Sequence, residues 1–390
     1  MNRPLKIAVY SGEIPSTTFI ERLILGLSKK ECQVYLFGYL KSPKKYSKNI
    51  CVFGYNDNRI AKFYLLLKYT ALLFLFRRKD KQKLDIIIKS NYKNKAITKI
   101  KYYPVLWHKP DIFHLQWAKS IEDWIWVQEF GIKFIVSLRG THVSISPITN
   151  SKVFNRYKKY FPIVDGFHAV SKAIAKEVEK YGVDSEKVNV VYSGLPELVD
   201  TIEKKENNQI FKIISVGRNH WVKGYNYAID CCKILKGNGF QFEYQIIGAK
   251  GTEELEFLIK SNNLQNEVFL TDKKPFLEVQ QLMRKADLLL LTSVEEGIAN
   301  VVLEAMQLGT IVLSTNCGGM EEVIENGKNG FIVPVRDINT MTNAIIDIAN
   351  LNQNQKENII EQARETITKQ HAEEKMIEDM FTLYKEIFVK

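Results

Sequence analysis

The chain has 390 residues, 45% of them hydrophobic and 25% charged, with a formal net charge of +11 at pH 7. This is enough length and apolar material for two ordinary globular domains, each with its own core, and it excludes a disordered or low-complexity chain. The positive excess is uneven: residues 1–200 carry twice as many Lys and Arg as Asp and Glu, whereas the remainder is mildly acidic, a balance that suits a polyanion or an anionic membrane surface on the amino half.

Five cysteines (Cys32, Cys51, Cys231, Cys232, Cys317) are odd in number and lack the spacing of a zinc site or a Cys-x-x-Cys redox motif. A reduced, cytosolic compartment is the expectation. The six histidines, His108, His114, His142, His168, His220 and His371, form no His-x-x-x-His or facial-triad pattern, so no metal site is predicted. The first ten residues read as a β-strand and lack the apolar segment and small-residue cleavage site of a signal peptide.

In chain order, residues 6–10 with Gly12 read as strand and glycine turn, and residues 19–28 as an apolar-periodic helix with Ser16 or Thr17 as its cap. Residues 34–38 are the next strand. Residues 64–76 form an apolar, aromatic-rich helix followed by Arg77, Arg78, Lys79, Lys81 and Lys83. Such a helix suits either an anionic lipid surface or a core position with a solvated basic end. The stretch 63–76 is shorter than the ~20 residues needed to span a bilayer. Nucleic acid is not expected, since no helix-turn-helix, zinc-finger or RNP-like pattern is present. Residues 110–117 and 133–142 read as two strands ending in loops, with His114 structural and His142 either structural or reactive. Residues 165–171, a helix over 172–181 and a strand over 188–195 complete a first domain, and the polar residues 200–209 have linker composition.

A second set begins with a strand over 211–216, then Gly217, Arg218, Lys223 and Gly224 ahead of a helix. A glycine and two cations five apart at a helix amino terminus suit a diphosphate. Strands near 244–248, 268–270, 288–291 and 310–314 continue a βα rhythm, which predicts a doubly wound parallel sheet. After the strand at 286–292, Gly297 and Asn300 read as a turn and helix cap, and the helix stops at Gly309. Glu296 then lies in a loop at the carboxyl end of a strand and Glu304 on the helix that follows, both toward the crevice where open α/β sheets bind ligands. Gly318 and Gly319 make either a simple tight turn or a loop whose backbone approaches a ligand. Residues 372–388 form a last helix.

The run Glu296-Gly297-Ile298-Ala299-Asn300-Val301-Val302-Leu303-Glu304-Ala305-Met306 resembles the signature of glycosyltransferase family 4. Gly217-Arg218 with Lys223-Gly224, the Gly318-Gly319 loop, and residues 14–20 extend the resemblance over nearly the whole chain. It implies the α/β GT-B fold, two Rossmann-like doubly wound parallel-sheet domains facing across a cleft. Residues 1–200 would be the acceptor side, 201–368 the nucleotide-sugar-binding domain, and 369–390 a helix returning to the first domain. It further implies that Arg218 and Lys223 hold the donor diphosphate with Gly217, Gly318 and Gly319 close by, and that Gly12 and Thr17 approach the donor phosphate from the first domain. Glu296, in the loop of Gly297 and Asn300, would contact donor-sugar hydroxyls, and Glu304 the ribose.

The chain also departs from the family. Where His-Gly-x-Asp is common, it has Arg139-Gly140-Thr141-His142, so Arg139 replaces a histidine thought to lie beside the transferred sugar and His142 replaces an acid. Both are kept as catalytic candidates. Val222 stands where Glu is frequent, and Glu321 where Pro is.

The activity implied is a retaining, metal-independent transfer of a hexose or related sugar from a nucleotide-diphosphate sugar, with no separate cofactor. The implied acceptor is lipid-linked or a polysaccharide, in capsule, O-antigen or exopolysaccharide synthesis, and the implied location is cytoplasmic, peripheral at the inner face of the membrane. Two alternatives stay open: a non-catalytic nucleotide-sugar-binding partner of a membrane glycan assembly complex, and another GT-B enzyme such as a nucleotide-sugar epimerase.

Overall fold

The computed structural model describes residues 3–198 and 210–389; the linker expected at residues 200–209 lies outside them. The chain forms two compact units, one built from the chain up to Val170, Ile174–Gly194 and the chain from Glu373, the other from Ser171–Ala173 and Leu195–Ala372.

The first unit is a seven-stranded sheet of β1 (Leu5–Ile14), β2 (Cys32–Leu40), β3 (Ile50–Tyr55), β4 (Ile112–Leu115), β5 (Lys133–Leu138), β6 (Gly166–Ala169) and β7 (Val188–Val190), ordered β3-β2-β1-β4-β5-β6-β7. The second holds β8 (Phe211–Val216), β9 (Phe242–Ile247), β10 (Val268–Thr271), β11 (Leu288–Leu291), β12 (Ile311–Thr315) and β13 (Phe331–Val333), ordered β10-β9-β8-β11-β12-β13. Every strand pair in both sheets is parallel. Helices cover both faces of such sheets, which is why all four residues of β4 and of β11 are buried and β11 is a continuous apolar run. In each sheet the strand order reverses once, at β1/β4 and at β8/β11, and the loops at the carboxyl ends there are left free to form a site.

Several local expectations are corrected. β1 does not turn at Gly12 but continues to Ile14 through a register shift between Val9 and Gly12. Gly12 (φ 94°) makes this bulge possible, and its β2 partner Gly38 has no room for a side chain, since a Cβ would lie 2.7 Å from the Gly12 carbonyl oxygen. The helix expected over 172–181 is instead a helix at Lys172–Lys176 and a separate 3-10 turn at Glu179–Tyr181, with Val178 and Tyr181 buried. That three-residue spacing fits the 3-10 period, and Gly182 in the left-handed region ends the turn. The strand expected over 188–195 is confined to Val188–Val190.

The helix Arg59–Phe76 begins where the Asn58 side chain accepts from the N–H groups of Ile60 and Ala61. Only Tyr69 and Leu73 of its side chains are buried. The core reading therefore holds for one narrow edge, and most of the apolar surface faces outward.

The last helix, Glu373–Val389, belongs to the first unit and buries Ile377, Met380, Tyr384 and Ile387 among others, a spacing of three to four that gives one apolar face. It packs where its partners are glycines: a Cβ on Gly26, in helix Thr18–Leu27, would collide with Ile377, and one on Gly166 with Ile387. Truncating Ile377 to Ala should therefore lower unfolding stability by about 2–5 kcal/mol in urea titrations, whereas Glu386→Ala on the exposed side of the same helix should change it by less than about 0.5 kcal/mol.

Candidate functional site

In the second unit, β8 delivers the chain to Gly217, where a Cβ would lie 2.8 Å from the Tyr225 hydroxyl and 3.2 Å from Lys223 Cε. The Tyr225 hydroxyl donates to the Gly217 carbonyl at 3.1 Å. A 3-10 turn, Trp221–Lys223, and Gly224 (φ 61°) then lead into helix Tyr225–Gly237. Gly224 abuts the Thr292 carbonyl so closely that no side chain fits.

This loop is bonded to the one after β11. The Thr292 hydroxyl donates to the Lys223 carbonyl at 2.8 Å, and the Val294 N–H to the Val222 carbonyl at 2.8 Å. Lys223 Nζ meets Glu296 Oε1 at 2.6 Å, and the Ser293 hydroxyl donates to the same oxygen at 3.0 Å. Both side chains of this ion pair are about one-fifth exposed.

The loop after β12 closes the arrangement. The Gly319 N–H donates to the Gly297 carbonyl at 2.8 Å, and the Thr315 hydroxyl to the Ser293 carbonyl at 2.5 Å. A Cβ on Gly318 (φ 55°) would overlap the Glu296 carbonyl oxygen, and one on Gly319 the Gly297 carbonyl oxygen. Cys317 beside them is no nucleophile: burial first, then the negative charge of Glu296 and Glu295, pushes its thiol up to about 12.

Arg218 is exposed, with no carboxylate partner among the described residues. The helix Asn300–Leu308 starts after Ala299, which is its N-cap, so Asn300 is not the expected cap but the first helical residue. The reason is local: the Ala299 carbonyl accepts from Val302 and Leu303, while the buried Asn300 Oδ1 has no hydrogen-bond partner among the described residues. No side chain caps this helix start. Glu304, half-buried, lies one turn on from Asn300, on the same side.

In the first unit, Arg139 follows β5 and is half-buried. Its Cζ stands 4.6 Å from the centroid of the Phe19 ring, and its Nη2 donates to Gln116 Oε1 at 2.8 Å. From there a buried chain of hydrogen bonds runs across the sheet. Gln116 Nε2 and the Tyr384 hydroxyl lie 3.0 and 2.7 Å from His114 Nδ1, His114 Nε2 lies 2.8 Å from the Ser137 hydroxyl, and that hydroxyl lies 2.9 Å from His168 Nδ1. His168 Nε2 ends the chain on the Val191 carbonyl at 3.0 Å.

The direction of every proton in it follows. A carbonyl only accepts, so His168 carries its proton on Nε2 and takes the Ser137 proton on Nδ1. Ser137 then accepts from His114 Nε2–H, and His114 Nδ1 accepts from Gln116 and Tyr384. Burial holds both imidazoles neutral, His114 well below its ordinary range and His168 at about 3, with the positive charge of Arg139 adding to the effect on each.

His142 sits in a short helix, Thr141–Ser144, with its ring 5.5 Å from that of Trp117, and its carbonyl accepts from the Tyr157 hydroxyl at 3.1 Å. Gly12, in the strand bulge, has open space where a Cβ would be. Thr17 is the N-cap of helix Thr18–Leu27 but makes no side-chain cap hydrogen bond.

Two family descriptions divide the chain between them: Glycosyltransferase Family 4 matches residues 16–197 and Glycosyl transferases group 1 matches residues 199–366. The chain belongs to glycosyltransferase family 4. A WcaL protein of Salmonella typhimurium named for colanic acid biosynthesis is 30% identical over 219 residues covering 54% of each chain. AmsK of Erwinia amylovora, named for amylovoran biosynthesis, is 29% identical over 227 residues, 54% of this chain and 56% of that one. The matches thus span about half the length of these relatives. The structure of Anabaena HepE in complex with UDP-glucose is 17% identical with a TM-score of 0.69, covering 98% of this chain and 100% of that one. Its fold is shared, and the two doubly wound units are those of a GT-B glycosyltransferase.

Against this family 4 background, the structure brings Gly217, Lys223, Glu296, Gly297, Gly318 and Gly319 into one cluster. Sequence reasoning did not anticipate that Lys223 and Glu296 pair with each other, nor did it name Gln116, Ser137 or Tyr384. The one available signal was that His114 and Gln116, two apart at a strand end, share a face.

The loop contact sets a test. Gly318→Ala must leave the left-handed region or displace the Glu296 carbonyl, and should cost at least about 2 kcal/mol, against about 1 kcal/mol for Gly327→Ala, where φ is also positive but a Cβ meets open space. The buried imidazoles set another. Since His168 titrates below the unfolded value of 6.5, its contribution is complete above that pH and is lost as pH falls toward 3. Stability should drop by about 2 kcal/mol from pH 7 to pH 5 for this group alone, and a His168→Gln variant should show a correspondingly flatter pH profile in denaturant titrations.

Proposed function

We propose that the chain is a retaining, metal-independent glycosyltransferase, moving a sugar from a nucleotide-diphosphate donor held by the second unit to a lipid-linked or glycan acceptor in cell-surface polysaccharide synthesis. The observation that carries this is the three-loop cluster, which sets Lys223 and Glu296 2.6 Å apart in a clamp of mutually bonded backbones that also carries Arg218 and leads to an uncapped helix start at Asn300. The names of the colanic acid and amylovoran relatives support the polysaccharide class, and the UDP-glucose of HepE supports the donor class.

The chemistry follows from charge. Breaking the bond between the sugar's anomeric carbon and the phosphate oxygen leaves negative charge on the diphosphate and positive charge on the ring. Arg218, Lys223 and the free N–H groups at the start of helix Asn300–Leu308 stabilise the first without a metal ion. Glu296 orients the sugar through its hydroxyls, and Glu304 holds the ribose. In a same-face reaction the acceptor oxygen bonds to the anomeric carbon as the phosphate leaves, and its proton passes to the departing phosphate oxygen, so no separate base is required.

The outward face of helix Arg59–Phe76 supports binding to an anionic membrane. Ile60, Phe63, Tyr64, Leu67 and Phe74 recur at helical spacing and are at least half exposed, with Arg59, Lys68, Arg78 and Lys79 exposed around them. No described helix is long and apolar enough to cross a membrane. The native chain should float with phosphatidylglycerol vesicles and not with phosphatidylcholine vesicles, and Phe63→Ser with Leu67→Ser should lose at least about tenfold in binding.

Catalysis is tested by release of nucleoside diphosphate from a panel of nucleotide sugars in EDTA, with bacterial membrane extract as acceptor. One donor should turn over, and Glu296→Ala or Lys223→Ala should slow it by about 100-fold or more. Turnover that requires a divalent metal would overturn metal independence. Absence of release from every donor would favour the nucleotide-sugar-binding protein, and interconversion of the free donor sugar would favour the epimerase.

A further inference from the structure

Arg139 is a fixed cation without a counter-charge. Of the five N–H donors of its guanidinium, one has an acceptor among the described residues, Gln116 Oε1 at 2.8 Å. Among the described residues its buried Nε has no acceptor and no carboxylate pairs with it. One face of the group lies over the Phe19 ring. Burial draws the guanidinium down to about 10, the direction that a neighbouring anion would reverse, and it stays charged at neutral pH.

A half-buried cation that has lost water and gained no anion is costly unless a ligand supplies the missing acceptors. Gln116 offers one neutral acceptor oxygen and no counter-charge, and its amide nitrogen is committed to His114. The surroundings suit a ring-shaped ligand. Phe19, Trp117 and His142 are half-buried, with Trp117 6.2 Å from Phe19 edge-on and 5.5 Å from His142. Aromatic faces of this kind take the apolar face of a sugar and leave the guanidinium fork for a charged substituent.

We propose that Arg139 is a specificity residue that pairs with an anionic oxygen group, a carboxylate or a phosphate, on the sugar-containing ligand of the first unit. The demand for an anion comes from Arg139 itself; that the ligand contains a sugar rests on the transferase reading. Two sources share the chemistry, a uronate-type carboxylate on the sugar and a phosphate ester beside it. A neutral sugar can offer hydroxyl oxygens to the fork but no counter-charge, and is selected against.

The full chain, labelled with 15N at arginine, is titrated with methyl glucuronoside, glycerol 1-phosphate and methyl glucoside while the Arg139 Nε–H resonance is followed, with Arg139→Gln used to assign it. The expected result is saturable movement with one or both anions and none with the glucoside. Movement with the glucuronoside alone assigns a uronate, with glycerol phosphate alone a phosphate ester. Calorimetry of the same probe should show at least tenfold weaker binding to Arg139→Gln, with Arg139→Lys, which keeps a cation and a donor for Gln116, in between. A resonance unmoved by either anion, or moved equally by the glucoside, overturns the inference, even if nucleoside diphosphate release proves the chain a transferase. Saturable anion binding with no release from any donor would leave this inference standing and remove the transferase reading.

Discussion

Three neighbouring strands, β8, β11 and β12, end in loops whose backbones touch, and the site of the second unit depends on that contact. The strand order reverses between β8 and β11, so the helices that follow them leave to opposite faces and expose the strand ends. The loops can close over this point only because Gly224, Gly318 and Gly319 have no side chains: a Cβ on any of them would strike the carbonyl of Thr292, Glu296 or Gly297. With the backbones locked by Val294 to Val222 and Gly319 to Gly297, the placement of Glu296 and of the helix start at Asn300 is no longer free. The polar cluster is thus held by backbone geometry as well as by its own ion pair.

The first unit uses the same topology differently. Its buried chain from Arg139 to the Val191 carbonyl has a group that only donates at one end and one that only accepts at the other, so no internal member has a choice of tautomer or rotamer. A histidine in place of Arg139, as the family commonly has, can either donate or accept, and would leave Gln116 free to turn. Arginine removes that freedom and at the same time brings a charge that the chain of neutral groups does not balance. The C-terminal helix takes part through Tyr384, so the last residues of the sequence complete the polar core of the first.

The βα rhythm was legible because buried parallel strands are written as unbroken apolar runs, such as residues 288–291, and the glycine and cation spacings marked where loops carry chemistry. What could not be read were the relations that depend on strand order. Lys223 and Glu296 are 73 residues apart and become neighbours only because β8 lies beside β11. Asn300 looked like a cap since Asn is favoured there, yet the preceding alanine has the extended backbone that defines the cap position. Residues 59–76 show the limit of composition: an apolar run reads the same whether it is buried or exposed, and only the packing of Tyr69 and Leu73 decides which side faces in. Gln116 shares a strand face with His114, and Tyr384 belongs to no recognisable pattern; the roles of both are given by the partners that three strands and a distant helix bring to them.

On the proposed function, the Lys223–Glu296 pair lets one cluster serve two parts of a donor. Lys223 has three N–H donors and gives one to Glu296 Oε1, which leaves two for phosphate oxygens without breaking the pair. Glu296 Oε1 is occupied by Lys223 and Ser293, but Oε2 has no hydrogen-bond partner among the described residues and can accept from sugar hydroxyls. On the proposed function, the cation for the leaving diphosphate and the carboxylate for the sugar are therefore a single bonded unit. Each fixes the position of the other, so a donor whose sugar misplaces Glu296 also loses the alignment of Lys223 with the phosphate. Discrimination between sugars is then expressed in the charge stabilisation of the departing group, where it affects the rate of transfer more than the strength of binding.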